Sequence, residues 1–404
     1  MNTQEKLIAG LLGLLLVGWL FFSQQQAAKQ AAAVSERAKK TEATPSGTNV
    51  ASSIGAPASA PAAAPAPVAS DGVQPVVEKP AMPEEVAVLE DGEMQVKVSS
   101  HGAVLTHATL SQFAAHPGPK SASNPAVAFD FADAPALALN GLPGLAANAA
   151  YAMEREAGKQ AVTLTVATQK GLTVVRRIEL LKDYQIKISD TIKNVSSEVV
   201  TLADNSMNIG VLAMGASAND MLSLDSLPVT PEAKTVYWAS EKQTKAYLVG
   251  GTPGGCGGST SAAGMPEKIS VPITAAQKWV ALKSRFFVAA LASDVPNTGF
   301  VMTAVRDPQK QVYALKSVSA HLQYAGQVLA QGQAVTRTYT MYLGPKKLSL
   351  LRSMGNKMDD VMEFGFFSWF CKLLLPTLNF FYSLIPNYGV AILLLTVLVR
   401  IIFW

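Results

Sequence analysis

Arg400 interrupts the apolar run Val390–Trp404, which is otherwise hydrophobic enough to enter a bilayer. A guanidinium in hydrocarbon costs about 3 kcal/mol on insertion scales, so an arginine at that depth points to a functional charge facing water or a partner. The same spacing also fits an arginine that ends an ordinary anchor and snorkels into headgroups. The residues Val390–Val399 favour insertion by about 4 kcal/mol, close to what Arg400 costs, so either helix can insert. Elsewhere the chemistry is sparse. Asp220 and Asp225 could pair as glycosidase carboxylates, although capping of turns is the simpler use. No Gly-x-Ser-x-Gly elbow occurs, and the glycine-rich stretch Gly250–Gly258 lacks the Gly-Lys-Ser/Thr ending of a phosphate loop. His101, His107, His116 and His321 have no metal-ligand spacing, and Cys256 and Cys371 suggest neither a disulfide framework nor a zinc site. No enzyme activity, cofactor or metal is therefore expected.

The elements that would position Arg400 run the length of the 404 residues. A hydrophobic share of 49% with a charged share of 15% leans toward a membrane protein, and a net charge of +4 gives no sign of nucleic-acid binding. Residues 1–6 precede an apolar anchor over 7–23, about 24 Å as a helix and ended sharply by Ser23 and three glutamines. The small residues Ala31-Ala32-Ala33 leave a cleavable signal peptide open as the alternative. Lys6 alone precedes the run while Lys29, Arg37, Lys39 and Lys40 follow it, which opposes a cytoplasmic N-terminus. That rule weakens when a long domain follows. Residues 24–85, rich in alanine and proline, read as a disordered tether.

From Val86 to about 345 the pattern alternates with period two. Met94, Val96 and Val98 share one face, as do Val162, Leu164 and Val166, then Tyr184, Ile186 and Ile188, and the run Arg337–Tyr342 closes the series. An all-β sandwich is the economical reading. Trp238 and Trp279 could line a groove on that domain, with core packing the simpler use.

After Gly344-Pro345 the period becomes helical. A connecting helix is expected over 346–365, with Leu351, Met354 and Met358 on one stripe. Over 366–385, Ser368, Lys372, Asn379 and Ser383 form a narrow polar stripe, while Trp369, Phe370, Leu373 and Leu374 help cover the rest. A helix of that kind lies in the bilayer interface, so Trp369, Phe370 and Lys372 are the residues expected to meet it. A first spanning helix with a few polar residues remains the other reading. Pro386–Gly389 breaks that helix, and residues 387–404 begin a true span.

Several strings, in this order and spacing, carry a resemblance. They are Arg177-Ile178-Glu179-Leu180 with Asp183-Tyr184-Gln185-Ile186, the segment Trp279–Phe287, Tyr342-Leu343-Gly344-Pro345, Phe366–Phe370, and Asn387-Tyr388-Gly389 leading to Thr396–Arg400. Together they resemble the bacterial YidC-type insertases of the YidC/Oxa/Alb superfamily. The resemblance implies a mainly β periplasmic domain, a β-supersandwich similar in outline to sugar mutarotases, flanked by transmembrane and interfacial helices. It implies a multi-pass inner-membrane protein that inserts and folds nascent membrane proteins, alone or with the Sec translocon. Arg400 would then lie in a hydrophilic groove open to the cytoplasm and to lipid. The family core has further spans beyond the position of Trp404, so the chain reads as a C-terminally truncated piece. A membrane-tethered β-sandwich that binds glycan or envelope partners is the reading from another class.

Overall fold

The computed structural model describes residues 82–213, 222–230, 232–238, 267–307, 315–365 and 368–402. The anchor over 7–23, Asp220 and the glycine-rich stretch lie outside the described residues.

Strand-forming alternation builds a mainly β domain. A four-stranded meander opens it, β1 (Val86–Glu90), β2 (Met94–Ser99), β3 (Val104–Ala114) and β4 (Ala126–Asp130), paired in that order. Met94, Val96 and Val98 all turn inward, as their spacing requires. A five-stranded sheet runs β14 (Lys268–Ile273), β17 (Gly299–Arg306), β18 (Leu315–Tyr324), β11 (Asn205–Ala213) and β5 (Leu139–Asn140). Opposite it lies a nine-stranded sheet. One half is β13 (Val236–Tyr237), β12 (Ser223–Pro228), β15 (Gln277–Lys283) and β16 (Phe287–Ser293). The other is β20 (Ala334–Pro345), β9 (Gln185–Asn194), β8 (Leu172–Leu180), β7 (Ala161–Ala167) and β6 (Ala152–Arg155). A short pair, β10 (Val200–Leu202) with β19 (Gln327–Leu329), sits apart. The core forms where β11 and β18 pack on β15 and β16.

One rung of that core is ionic. Arg176 on β8 and Arg337 on β20 both stand in register with Asp190 of β9, and all three point inward. The Arg176 guanidinium forks onto both Asp190 oxygens at 2.7 Å and donates to the carbonyl of Ala103 at 2.9 Å, while Arg337 donates to Asn205 Oδ1 at 2.6 Å. Bidentate geometry and the added acceptors offset the cost of burying these charges. Arg177, one residue on, faces outward to Glu156 and Glu179, as period-two alternation demands.

Three helices follow the sheets: α1 (Leu348–Ser353), α2 (Ser368–Leu384) and α3 (Tyr388–Ile402). The single connecting helix expected over 346–365 is not what forms. α1 ends after six residues, Gly355, Asn356 and Lys357 take left-handed φ values of 71°, 48° and 55°, and a separate 3₁₀ turn covers Met358–Met362. Glycine accepts that conformation freely. The other two hold it only because the β domain grips them. No helix among the described residues is long and apolar enough to cross a membrane; α3 is about 22 Å long.

Removing the acid from the ionic rung strands the buried Arg176 guanidinium. Asp190→Ala is expected to lower the unfolding free energy by about 3–5 kcal/mol. Lys187→Ala, on the outer face of the same strand, should change it by no more than about 0.5 kcal/mol. Urea midpoints measured at constant m decide between these outcomes.

Candidate functional site

The functional elements meet at one end of the nine-stranded sheet, where the chain leaves the domain for the helices. Lys283 closes β15 after the apolar residues Trp279–Leu282, and its amine is buried. It forms an ion pair with Asp225 of the neighbouring β12, reaches Glu363 at 2.9 Å just beyond the 3₁₀ turn, and donates to the carbonyl of Val361 at 3.3 Å. The Tyr237 ring covers it at 5.2 Å. One ammonium thus bridges the sheet and the connector. Asp225 is a buried strand residue, so its expected place in a turn is corrected: it serves as counter-ion to Lys283. With Asp220 undescribed and Asp225 committed to an amine, no glycosidase pair is assembled.

Further pins hold the connector. The indole N–H of the fully buried Trp279 donates to the carbonyl of Asn356 at 2.9 Å, and Lys357 donates to the carbonyl of Ala233 at 2.9 Å. Thr235 donates to Asp360 at 3.3 Å. Asn356, Lys357 and Glu363 are all left-handed; Asn356 and Glu363 are anchored on β15, and Lys357 on the loop between β12 and β13. Strained backbone persists where its surroundings over-determine it, at about 1–3 kcal/mol for each residue. Both tryptophans raised as groove candidates are packed instead: Trp279 under the connector, Trp238 against Phe300 with its N–H on Ser226.

A second charge cluster binds α2 to the connector. Lys372 stands 2.8 Å from Asp359 and 3.1 Å from Asp360, and Arg352 lies 3.9 Å from Asp359. Ser368 and Lys372, the start of the polar stripe, therefore face protein, while Asn379 and Ser383 further along it are exposed together with a row of large apolar residues. Trp369 (71% exposed), Leu373, Phe380 and Leu384 make up that row, with Phe370 half-buried and edge-on to Trp369 at 5.6 Å. α3 folds back beside α2. Asn387 caps it by accepting the Gly389 N–H at 2.9 Å, and Tyr382 stacks on Tyr388 at 4.0 Å. Its outer residues Ile392, Leu393, Val397 and Ile401 are likewise exposed. Arg400 is exposed on α3 and has no ion-pair partner among the described residues. The structure thus joins Lys372 to the connector and leaves Arg400 apart from it.

Burial sets the electrostatics. It pushes the Asp225 carboxyl up to about 7 despite the pull of Lys283, and it brings the Lys346 amine down to about 8, with Lys283 adding repulsion. Lys372 is raised: burial opposes its charge, but Asp359 and Asp360 outweigh that together.

A sheet-rich domain that delivers two apolar-faced helices through an ionic connector is the class this geometry defines. The model of the YidC periplasmic domain matches residues 87–376, and the chain belongs to that family. Relatives described as membrane protein insertase YidC include one from Geotalea uraniireducens, 33% identical over 31% of this chain and 22% of its own length. Another from Geobacter metallireducens is 25% identical over 49% of this chain and 33% of its own length. The chain thus spans a third or less of these relatives. Among solved structures it is similar to a galactose mutarotase-like protein from Lactobacillus casei, with 11% identity over 64% of this chain and all of that one, at a TM-score of 0.40. Galactose 1-epimerase from Lactobacillus acidophilus is 12% identical over 66% of this chain and 99% of that one, at a TM-score of 0.36. Likeness at that level says nothing about a sugar site.

Two outcomes follow from the charges. Asp225 titrates near 3.8 unfolded and about 7 folded, so its stabilising effect is complete below the first value and lost as pH rises through the second. Unfolding free energy should therefore fall from about pH 5 to 7 more steeply in wild type than in Asp225→Asn. The difference between the two curves isolates this group, because His321, lowered by burial, tilts both alike. Lys372→Glu should raise amide exchange in the 3₁₀ turn and the first turn of α2 about two- to fivefold, the scale of a partly exposed pair. Adding Asp359→Lys and Asp360→Lys should reverse that rise.

Proposed function

We propose that this chain is the sheet domain and first core helices of an inner-membrane insertase and chaperone, which places nascent membrane proteins in the bilayer alone or beside the Sec translocon. The β domain, a β-supersandwich, occupies the periplasm. α2 lies in the bilayer interface, with Trp369 and Phe370 toward the acyl boundary and Lys372 toward the protein. α3 begins the spanning core. The observation that carries this reading is the exposed apolar face of α2 and α3 on helices tied by charge to a sheet domain of the YidC family. Such a face is unstable in water and at home against lipid.

In this reading Arg400 supplies the working charge of a wet groove. An acidic residue in the tail of an incoming substrate is drawn toward the guanidinium, and in a partly wet medium that attraction lowers the cost of carrying the tail across. The substrate's apolar segment then moves sideways into lipid, where its helix satisfies its own backbone. The work is electrostatic and involves no catalytic residue, cofactor or nucleotide.

In the full-length insertase, Arg400→Ala should impair insertion of substrates with acidic tails most, and Arg400→Lys should retain much of the activity because charge alone is needed. Insertion assays that show no loss for any substrate would contradict the groove. Protease added to spheroplasts should cut the region 90–340; resistance would contradict the periplasmic placement.

A further inference from the structure

At the junction end of the nine-stranded sheet, the turn joining β15 to β16 carries an exposed aromatic. Phe286 is 61% exposed, yet its surroundings are rigid. Ser284 N–H donates to the carbonyl of Phe287 at 2.9 Å, and Lys346 N–H donates to the carbonyl of Phe286 at 2.7 Å. Beneath it Phe287 packs edge-on to Phe113 at 5.6 Å, and Phe113 meets Tyr184 at 6.3 Å. The ring is thus presented outward by a fixed turn over a packed aromatic cluster. Arg285, also exposed, places its guanidinium 5.2 Å from the Phe286 centroid. An aromatic paired with a cation is the combination favoured where hydrocarbon meets headgroups.

Charge and position select the surface it meets. Asp225 and Glu363 both pair with Lys283, and with Arg285, Lys346 and the exposed Lys347 this end of the sheet carries four cations against those two acids. Asp91, Glu93 and Asp183 cluster beside the turn before β9, about 10 Å away across β20. The turn begins one residue after Lys283, whose amine holds Glu363, and α2 starts five residues beyond Glu363. Tip and helix are therefore both attached at the Lys283 end of the sheet. Another exposed apolar group, Val195, Val199 and Val328, lies at the far end of β9, about 30 Å along the strand.

We propose that the Arg285–Phe286 turn is a second foot of the β domain on the membrane, with Phe286 in the headgroup boundary and Arg285 and Lys347 on anionic phospholipid. This rests on the interfacial placement of α2. Two contacts, the turn and the helix, fix the tilt of the domain over the bilayer where one would leave it free to rock.

The test uses the full chain with both cysteines changed to serine, reconstituted in vesicles of phosphatidylethanolamine and phosphatidylglycerol. An environment-sensitive dye is attached in turn to Phe286→Cys, Trp369→Cys and Val199→Cys. The expected result is that lipid-borne quenchers dim the dyes at 286 and 369, while the dye at 199 responds only to aqueous iodide. Arg285→Glu with Lys347→Glu should cut quenching at 286 about fivefold or more, as should phosphatidylcholine vesicles, and leave 369 unchanged. Quenching at 369 without quenching at 286 overturns the foot and spares the helix. Quenching at neither overturns both. Quenching at 286 that ignores lipid charge and the double substitution overturns the assignment to anionic phospholipid.

Discussion

The architecture depends on the Lys283 ammonium, buried between Asp225 of the sheet and Glu363 of the connector. A buried amine with one counter-ion would be costly. With two carboxylates, a carbonyl and an aromatic face it becomes a fixed post. Because one of those carboxylates belongs to the chain already leaving the domain, the post transmits the orientation of the sheet to whatever follows. The left-handed residues Asn356, Lys357 and Glu363 are the backbone consequence: the connector turns back onto the sheet where a continuous helix would have carried it away.

The second cluster extends the same logic by one element. Lys372 meets Asp359 and Asp360, so the first turn of α2 is bound to a connector that is itself bound to β15. These groups are partly exposed and each pair is weak alone. Arranged in series, they turn the first part of the polar stripe of α2, Ser368 and Lys372, toward protein and leave Trp369 and Leu373 facing away from it. In the proposed insertase this lets a periplasmic domain hold an interfacial helix at a set angle beside the groove of Arg400.

Much of this was legible in the sequence, and the illegible part has a physical reason. Period-two alternation exposed the inward faces of β2, β7 and β9, because each strand has one side in the core. The helical period of α2 and the break at Pro386–Gly389 were equally plain. The clasp was not. Its partners are far apart in the chain, Asp225 with Lys283 and Glu363, and a lysine ending an apolar strand looks like a solvated terminus until its partners are in place. The stripe Leu351, Met354, Met358 satisfies a helix, and only tertiary pins on Asn356 and Lys357 explain why α1 stops early. Lys372 was recognised as polar, but its partners lie beyond a turn whose direction the sequence does not encode locally.

The rigidity of this junction is the central claim, and a distance measurement reaches it most directly. Spin labels placed at Lys187, on the outer face of β9, and at Leu373, on the exposed face of α2, would report the separation of domain and helix in the membrane-reconstituted chain. The account predicts a single narrow distance distribution that broadens in Lys283→Met. A distribution already broad in the wild-type chain, and unaltered by that substitution, would contradict it.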